Sequence, residues 1–257
     1  MKHVIASNVR RAHLGGTQPK WFVDADNKVY VVKAPADPAG AAHGGTNSKE
    51  LFNELFACAL ADRIGLRVPE HALVEISDNA NAGLPRGRHF GSVFLADYRP
   101  LPDGSHIVST LDDYDARDLY LLLAFDELLR NPDRKAGDIL VPDSANVSRP
   151  VKFLAIDHAN AFTGSHWDAA HVAANRTGNS GYNDPWLFWG LSNTKLAMQA
   201  AERVSKSSSE FAAIVADVAA CSGVDAAEQR AIADFLKARA HNLERWTLKA
   251  LEIARKD

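Results

Sequence analysis

The most constraining feature of this chain is a pair of aspartates, each placed at the end of a short strand-like run. Asn131-Pro132-Asp133-Arg134-Lys135-Ala136-Gly137-Asp138 leaves an apolar helical stretch, gathers Pro, Gly and charge, and runs into Ile139-Leu140-Val141. Phe153-Leu154-Ala155-Ile156 is a second strand-like run, and it stops abruptly on Asp157-His158. A hairpin-like excursion between the two lets Asp133 and Asp157 converge on one point. Phosphoryl transfer needs such an arrangement, with one carboxylate by the attacking hydroxyl and another holding Mg²⁺ on nucleotide phosphates. A polar hairpin with ordinary turn aspartates has the same appearance, so the upstream residues decide.

Composition removes several alternatives. The 257 residues make one large or two small domains around a substantial core. A formal net charge of −3 gives no basic footprint, which argues against direct nucleic-acid binding. No apolar run approaches the roughly 20 residues that cross a bilayer, so no membrane association is expected. Residues 1–11 lack the sustained apolar stretch of a signal peptide. Cys58 and Cys221 lie far apart in apolar helical contexts and read as reduced thiols, which makes the cytoplasm the expected address.

The N-terminal third reads as a small sheet with one helix. Residues 3–11 are strand-like, and the turn Leu14-Gly15-Gly16-Thr17-Gln18-Pro19-Lys20 follows. Trp21-Phe22-Val23 and Val29-Tyr30-Val31-Val32-Lys33, around the polar turn 24–28, form an antiparallel hairpin. A Gly-rich turn before such a hairpin lets backbone N–H groups approach phosphate oxygens, or is only a turn. Lys33 is either an edge residue with its head in water or a charge aimed at a ligand. Residues 34–48, rich in Pro, Gly and Ala, are expected to be a mobile loop. Asn47 or Ser48 then caps a helix from Lys49 to Ile64, closed by Gly65. Its apolar stripe is Phe52, Leu55, Phe56, Ala59, Leu60 and Ile64. Glu54 lies off that stripe, as a solvated carboxylate or as a partner for Lys33; Glu50 is the fallback partner. Strands follow at 72–76 and 90–96, and the segment 97–104 breaks regular structure. The expected division is therefore residues 1–98 and 99–257.

The second part reads as mostly helical. Asp112 or Asp113 caps a helix running to Arg130, and Thr163 to Asp184 is a long irregular stretch suited to a substrate or lid segment. Pro185 to Leu191 reads as core. Ser207-Ser208-Ser209-Glu210 has the pattern of a capping box before a helix to about Cys221. Asp225 and Glu228 cap one last long helix, with Ile232, Phe235, Leu236, Leu243, Trp246 and Leu251 at core spacing.

Taken in order, these residues resemble the HipA-like kinase family, distant relatives of protein kinases and type II phosphatidylinositol 4-kinases. The resemblance runs from about Gly15 to Phe162. Gly15-Gly16-Thr17-Gln18-Pro19-Lys20 resembles the family's Gly-x-x-x-Lys loop, and Lys33 falls on its ATP-phosphate lysine. Asn53-Glu54, ahead of Ile64-Gly65-Leu66-Arg67-Val68-Pro69, resembles the helix that carries the lysine's glutamate partner. Asp133 falls on the catalytic aspartate and Asp157 on the metal-binding aspartate. The resemblance implies an α+β, two-lobed protein-kinase-like fold: a small antiparallel-sheet N-lobe with one helix, and a mainly helical C-lobe. It implies ATP and Mg²⁺ as cofactors, with adenine near residues 95–101 and phosphates under the turn 15–20. A protein substrate and an antitoxin-like regulator are the partners it implies.

One position departs from the family. Five residues after the catalytic aspartate the family has Asn, and this chain has Asp138. Asp138 still ligates Mg²⁺ through oxygen, but adds negative charge beside Asp133 and Asp157, which Lys135 partly offsets. Three activities stay open. The first is an ATP-dependent Ser/Thr protein kinase, and the second a kinase of the same fold acting on a lipid or small-molecule alcohol. The third is a nucleotide-binding pseudokinase. Arg134 either stabilises developing charge or pairs with a neighbouring carboxylate, and His158 reads as a hydrogen-bonded loop histidine.

Overall fold

The structure, a computed structural model, describes residues 1–12, 20–33, 48–77, 84–101, 115–143, 150–181, 185–188 and 190–254. The turn residues Gly15 to Gln18, the loop 34–47, and Asp112 and Asp113 lie outside these residues.

The N-terminal part is a six-stranded sheet in the order β1-β5-β6-β4-β3-β2. Its strands are β1 (His3–Ile5), β2 (Asn8–Ala12), β3 (Lys20–Ala25), β4 (Lys28–Lys33), β5 (His71–Ile76) and β6 (Gly87–Val93). Among the described residues only β1 and β5 pair in parallel. The expected single strand over 3–11 is in fact two, broken at Ala6 and Ser7, and the two halves lie on opposite edges of the sheet. The amide of Ala6 donates to Glu75 O and that of Ser7 to Asp24 O. Consecutive residues bonded to opposite edges require the sheet to curl until those edges meet. Its concave side buries Val4, Val9, Trp21, Val23, Tyr30, Val32, Val74 and Ile76. The β3–β4 hairpin forms as expected. Asp26 and Asn27 both take positive φ, 50° and 58°, the backbone that a tight two-residue hairpin demands.

Helix α1 (Ser48–Ile64) follows, and Gly65 ends it at φ 68°. Its apolar residues Leu51, Phe52, Leu55, Phe56, Leu60 and Ile64 belong to the helical core rather than to the interior of the sheet. Helix α2 (Ala116–Leu129) is the centre of that core, buried from Leu119 to Leu129. Its cap is Asp115, whose side chain accepts from Arg117 N. Around it lie α3 (Ala169–Ala174), α4 (Thr194–Lys206), α5 (Phe211–Ser222), α6 (Ala226–His241) and α7 (Leu243–Ile253). Helix α1 packs on α5, and α2 packs on α4 and α7. The molecule is mixed α+β, a curled, mainly antiparallel sheet joined to a helical part.

Four further expectations are corrected. The 97–104 segment includes a strand, β7 (Tyr98–Pro100), which pairs with β8 (Ile139–Pro142), itself paired with β9 (Leu154–Ala155). Pro100 is tolerated because β7 is an edge strand, where one missing N–H leaves no ladder bond unmade. The Thr163–Asp184 stretch contains α3, capped by Asp168. No capping box forms at 207–210, because Ser207 closes α4 at φ −79°, ψ 1° and does not take the extended backbone of an N-cap. The last helix is two, broken at Asn242, whose side-chain amide donates to Ala238 O. Such a side chain competes for helix acceptors and favours a break. The Asp225–Glu228 capping box does form.

Candidate active site

The site is assembled where the end of β4, one face of α1 and two loops of the helical part meet. Lys33 is the last residue of β4, and its cross-strand partner is Lys20, the first residue of β3. Lys33 Nζ lies 3.3 Å from Glu54 Oε1 and 2.6 Å from Asp157 Oδ1. Glu50 adds its charge from one turn earlier on α1. Burial disfavours the Lys33 ammonium, but the carboxylates of Glu54 and Asp157 outweigh it and hold the group charged above its ordinary range. Burial also works against Asp157, yet Lys33 holds its carboxyl down at about 2. Burial, together with the positive charge of Lys33, pulls Lys20 below its usual value.

Asp157 adopts φ 62°, a left-handed backbone that few residues other than glycine occupy. Two adjacent residues of α1 hold the loop that follows it. Glu54 Oε2 accepts the His158 amide at 3.0 Å. Asn53 Nδ2 faces the carbonyls of Ala159, Ala161 and Gly164 at 2.6, 2.9 and 3.0 Å, and its Oδ1 accepts from Trp167 Nε1 at 3.0 Å. Within the same loop Phe162 and Thr163 also carry positive φ, 58° and 72°. Three non-glycine residues of this kind in one short loop are held by contacts outside it.

The other loop leaves α2 through Arg130, itself left-handed at φ 51° and tied by its guanidinium to Asn175 O at 2.6 Å and Asn175 Oδ1 at 2.8 Å. Arg134 then turns inward. It is fully buried, donates to both oxygens of Asp126 at 2.9 Å, and reaches Ile156 O and His158 Nδ1. Of its two expected roles, the structure assigns it the structural pair. His158 is buried as well; burial and the neighbouring guanidinium hold its imidazole well below its usual pKa, so it is neutral. Asp133 turns outward. Its Oδ2 accepts from Asn160 Nδ2 at 3.0 Å and lies 3.4 Å from Lys135 Nζ.

Asp138 is buried, and its Oδ2 accepts the Lys135 amide at 3.1 Å. Its carbonyl accepts the Ile156 amide at 2.9 Å, which joins the two aspartate loops. Burial, with the charge of Asp157 adding to it, pushes Asp138 up to about 7. Among the described residues no three His, Cys, Asp or Glu side chains form a metal cage. A Mg²⁺ ion on a nucleotide does not need one, since one or two carboxylates suffice when phosphates and water complete the octahedron. The negative charge of Asp157 bears on Asp138.

Of the residues singled out by sequence, Lys20, Lys33, Glu54, Asp138 and Asp157 are therefore drawn to one place. Asp133 joins them through Asn160, and Gly15, Gly16, Thr17 and Gln18 lie outside the described residues. Sequence reasoning missed Asn160, the grip of Asn53 on the Asp157 loop, and Asp126. A carboxylate inside the apolar run of α2 was the available signal for Asp126.

This geometry meets a family match. Residues 5–187 fit the family model described as HipA-like kinase. The chain belongs to the HipA-like kinases. Its fold is similar to that of the Helicobacter pylori proinflammatory kinase CtkA, at 15% identity and TM-score 0.62 over 98% of this chain and 99% of that one. HipA of Shewanella oneidensis MR-1, solved with HipB and operator DNA, aligns at 14% identity and TM-score 0.44, over 96% of this chain and 68% of that one. A golgi casein kinase aligns at 13% identity and TM-score 0.48, over 98% and 74%. No curated protein sequence matches the chain. Family and fold support a kinase, a phosphotransferase. No described helix is long and apolar enough to cross a membrane.

Proposed function

We propose that this HipA-like kinase transfers the γ-phosphate of Mg-ATP to a Ser or Thr hydroxyl of a protein substrate, in the cytoplasm. One observation carries the proposal: a single lysine of the sheet, Lys33, meets one carboxylate of α1 and one of the loop after β9, at 3.3 and 2.6 Å. That triad suits binding nucleotide phosphates and a dication where the sheet meets the helical part. The proposed lobes are residues 1–98 and 99–257, with adenine beside residues 95–101.

In this reading Lys33, oriented by Glu54, neutralises phosphate charge, and Lys20 with the turn Gly15-Gly16-Thr17-Gln18 cradles the phosphates. Asp157 and Asp138 would hold Mg²⁺, which when bound offsets phosphate charge. Asp133 orients the acceptor O–H toward the γ-phosphorus. As the new P–O bond forms, the bond to the β–γ bridging oxygen breaks and ADP leaves. The acceptor proton passes to Asp133 and then to solvent. Positioning and charge stabilisation supply nearly all the catalysis in such sites.

The test is Mg²⁺-dependent transfer of labelled γ-phosphate, comparing the parent chain with Asp133→Ala and Asp157→Ala. Incorporation into protein should fall by about three powers of ten or more in both. Asp133→Ala should keep the parent's melting temperature within a few degrees, whereas Asp157→Ala, which removes a partner of Lys33, should lower it. ATP binding that is lost in Asp157→Ala, with no transfer by the parent chain to protein, lipid or sugar, would instead establish a nucleotide-binding pseudokinase.

A further inference from the structure

We infer that Asn160 is a positioning residue for the reaction: its amide fixes the carboxylate plane of Asp133, and Asn53 of α1 holds it in place to do so. The inference rests on Asp133 being the residue that orients the acceptor, as proposed above.

Four observations carry it. First, Asn160 Nδ2 donates to Asp133 Oδ2 at 3.0 Å, across the gap between the two aspartate loops. Second, Asn160 precedes the short 3-10 turn Ala161–Thr163 in the position where an asparagine ordinarily caps with its own side chain. Its side chain makes no capping bond there and is directed to Asp133 instead. Third, the carbonyls on either side of it, Ala159 O and Ala161 O, both accept from Asn53 Nδ2, at 2.6 and 2.9 Å. The residue that presents the amide is thus clamped on both flanks by a side chain next in sequence to Glu54. Fourth, Asp138 turns its Oδ2 to the Lys135 amide, which it accepts at 3.1 Å. Lys135 also donates to Asp133 Oδ2, at 3.4 Å and with half its side chain exposed. A flexible ammonium there supplies charge, whereas a clamped planar amide supplies direction.

The physical consequence is specific. A carboxylate that orients a hydroxyl must keep its plane, and a misplacement of about 1 Å at a reacting group lowers rate by roughly a hundredfold. Asn160→Ala removes the N–H, while Asn160→Asp replaces it with a second negative charge facing Asp133. Asn160→Gln keeps an amide, one methylene longer. None of these variants removes a contact described above for Lys33 or Asp157, so nucleotide binding should persist.

The experiment measures kcat and KM for Mg-ATP in the full chain, using labelled γ-phosphate, for the three Asn160 variants and Asp133→Ala. The expected result is kcat lowered about a hundredfold in Asn160→Ala, lowered further in Asn160→Asp, and partly restored in Asn160→Gln, with KM for ATP unchanged in all three. Equal losses in the Ala, Asp and Gln variants, or a loss confined to KM, would overturn the inference. Transfer abolished in Asp133→Ala but unchanged in Asn160→Ala would overturn it while leaving Asp133 its role. Transfer that survives in Asp133→Ala would overturn the Asp133 assignment, and the inference with it. A second measurement needs no acceptor. In crystals of the parent chain and of Asn160→Ala, the Asp133 side chain should hold one orientation in the first and lose it in the second; an unmoved Asp133 refutes the positioning role.

Discussion

Arg134 and Lys135 are neighbours in sequence, and their ion pairs face opposite ways. Arg134–Asp126 is sealed, with both side chains 0% exposed and N–O separations of 2.9 Å. Lys135–Asp133 is open, at 3.4 Å with side chains 51% and 38% exposed. The first pair lies behind the loop and the second in front of it. Behind, low dielectric and fixed partners make the charges part of the architecture: Arg134 also reaches Ile156 O and His158, and so anchors the strand end that carries Asp157. In front, Asp133 and its lysine partner are both open to solvent. With Asp133 as the proposed reactive carboxylate, the loop's sealed pair lies on the side away from the proposed chemistry.

The largest effect that bears on this contrast is expected from Arg134→Ala. It leaves Asp126 buried without its cation, and urea unfolding should show a loss of about 3–5 kcal/mol. Replacing both partners together with apolar residues of similar volume should restore much of that stability. If the single and double variants lose equally, the pair is not the architectural element described here.

Asp138 lies between the two faces and supplies a pH test. Its carboxyl is raised by burial to about 7 in the folded chain. Between roughly pH 4 and pH 7 the folded chain therefore holds a proton that the unfolded chain has released, so this group makes stability fall as pH rises through that window. Asp138→Asn has no such proton. In urea titrations without divalent ions it should be more stable than the parent at pH 8, with the gap closing toward pH 5. A gap that widens as pH falls would contradict the burial argument. Asp157 has the opposite sign: held at about 2 by Lys33, it contributes stability above the ordinary carboxyl range that is lost as pH falls toward 2.

The smallest effect is expected in front. Lys135→Ala should change unfolding stability by no more than about 1 kcal/mol, as for other exposed pairs. A loss comparable to that of Arg134→Ala would erase the distinction between the two faces.

Much of the site was legible before the fold. Lys33 at a strand end, Glu54 off the apolar stripe of its helix, and Asp157 closing an apolar run each carried a local signal, and all three meet. Asn160 carried none, because its partner Asp133 is 27 positions away and its own neighbourhood looks like a simple turn. The single strand over 3–11 failed for a related reason. Its pattern is continuous, and only the meeting of two sheet edges decides that Ala6 and Ser7 bond in different directions. The capping pattern at 207–210 failed because α4 runs through a 3-10 turn into α5, so Ser207 never takes the extended backbone that an N-cap needs.

By itself the sequence determined the hairpin at Asp26-Asn27, the end of α1 at Gly65, and which charged residues stand at the ends of strands. These follow from local sterics and periodicity, which act within a few residues. Only the tertiary structure decided that α1 packs with the helices rather than inside the sheet, that Arg134 points inward and Asp133 outward, and that Asn53 and Asn160 connect α1 to Asp133. Burial and pairing between distant segments set those outcomes, and they depend on which surfaces meet once the core has closed.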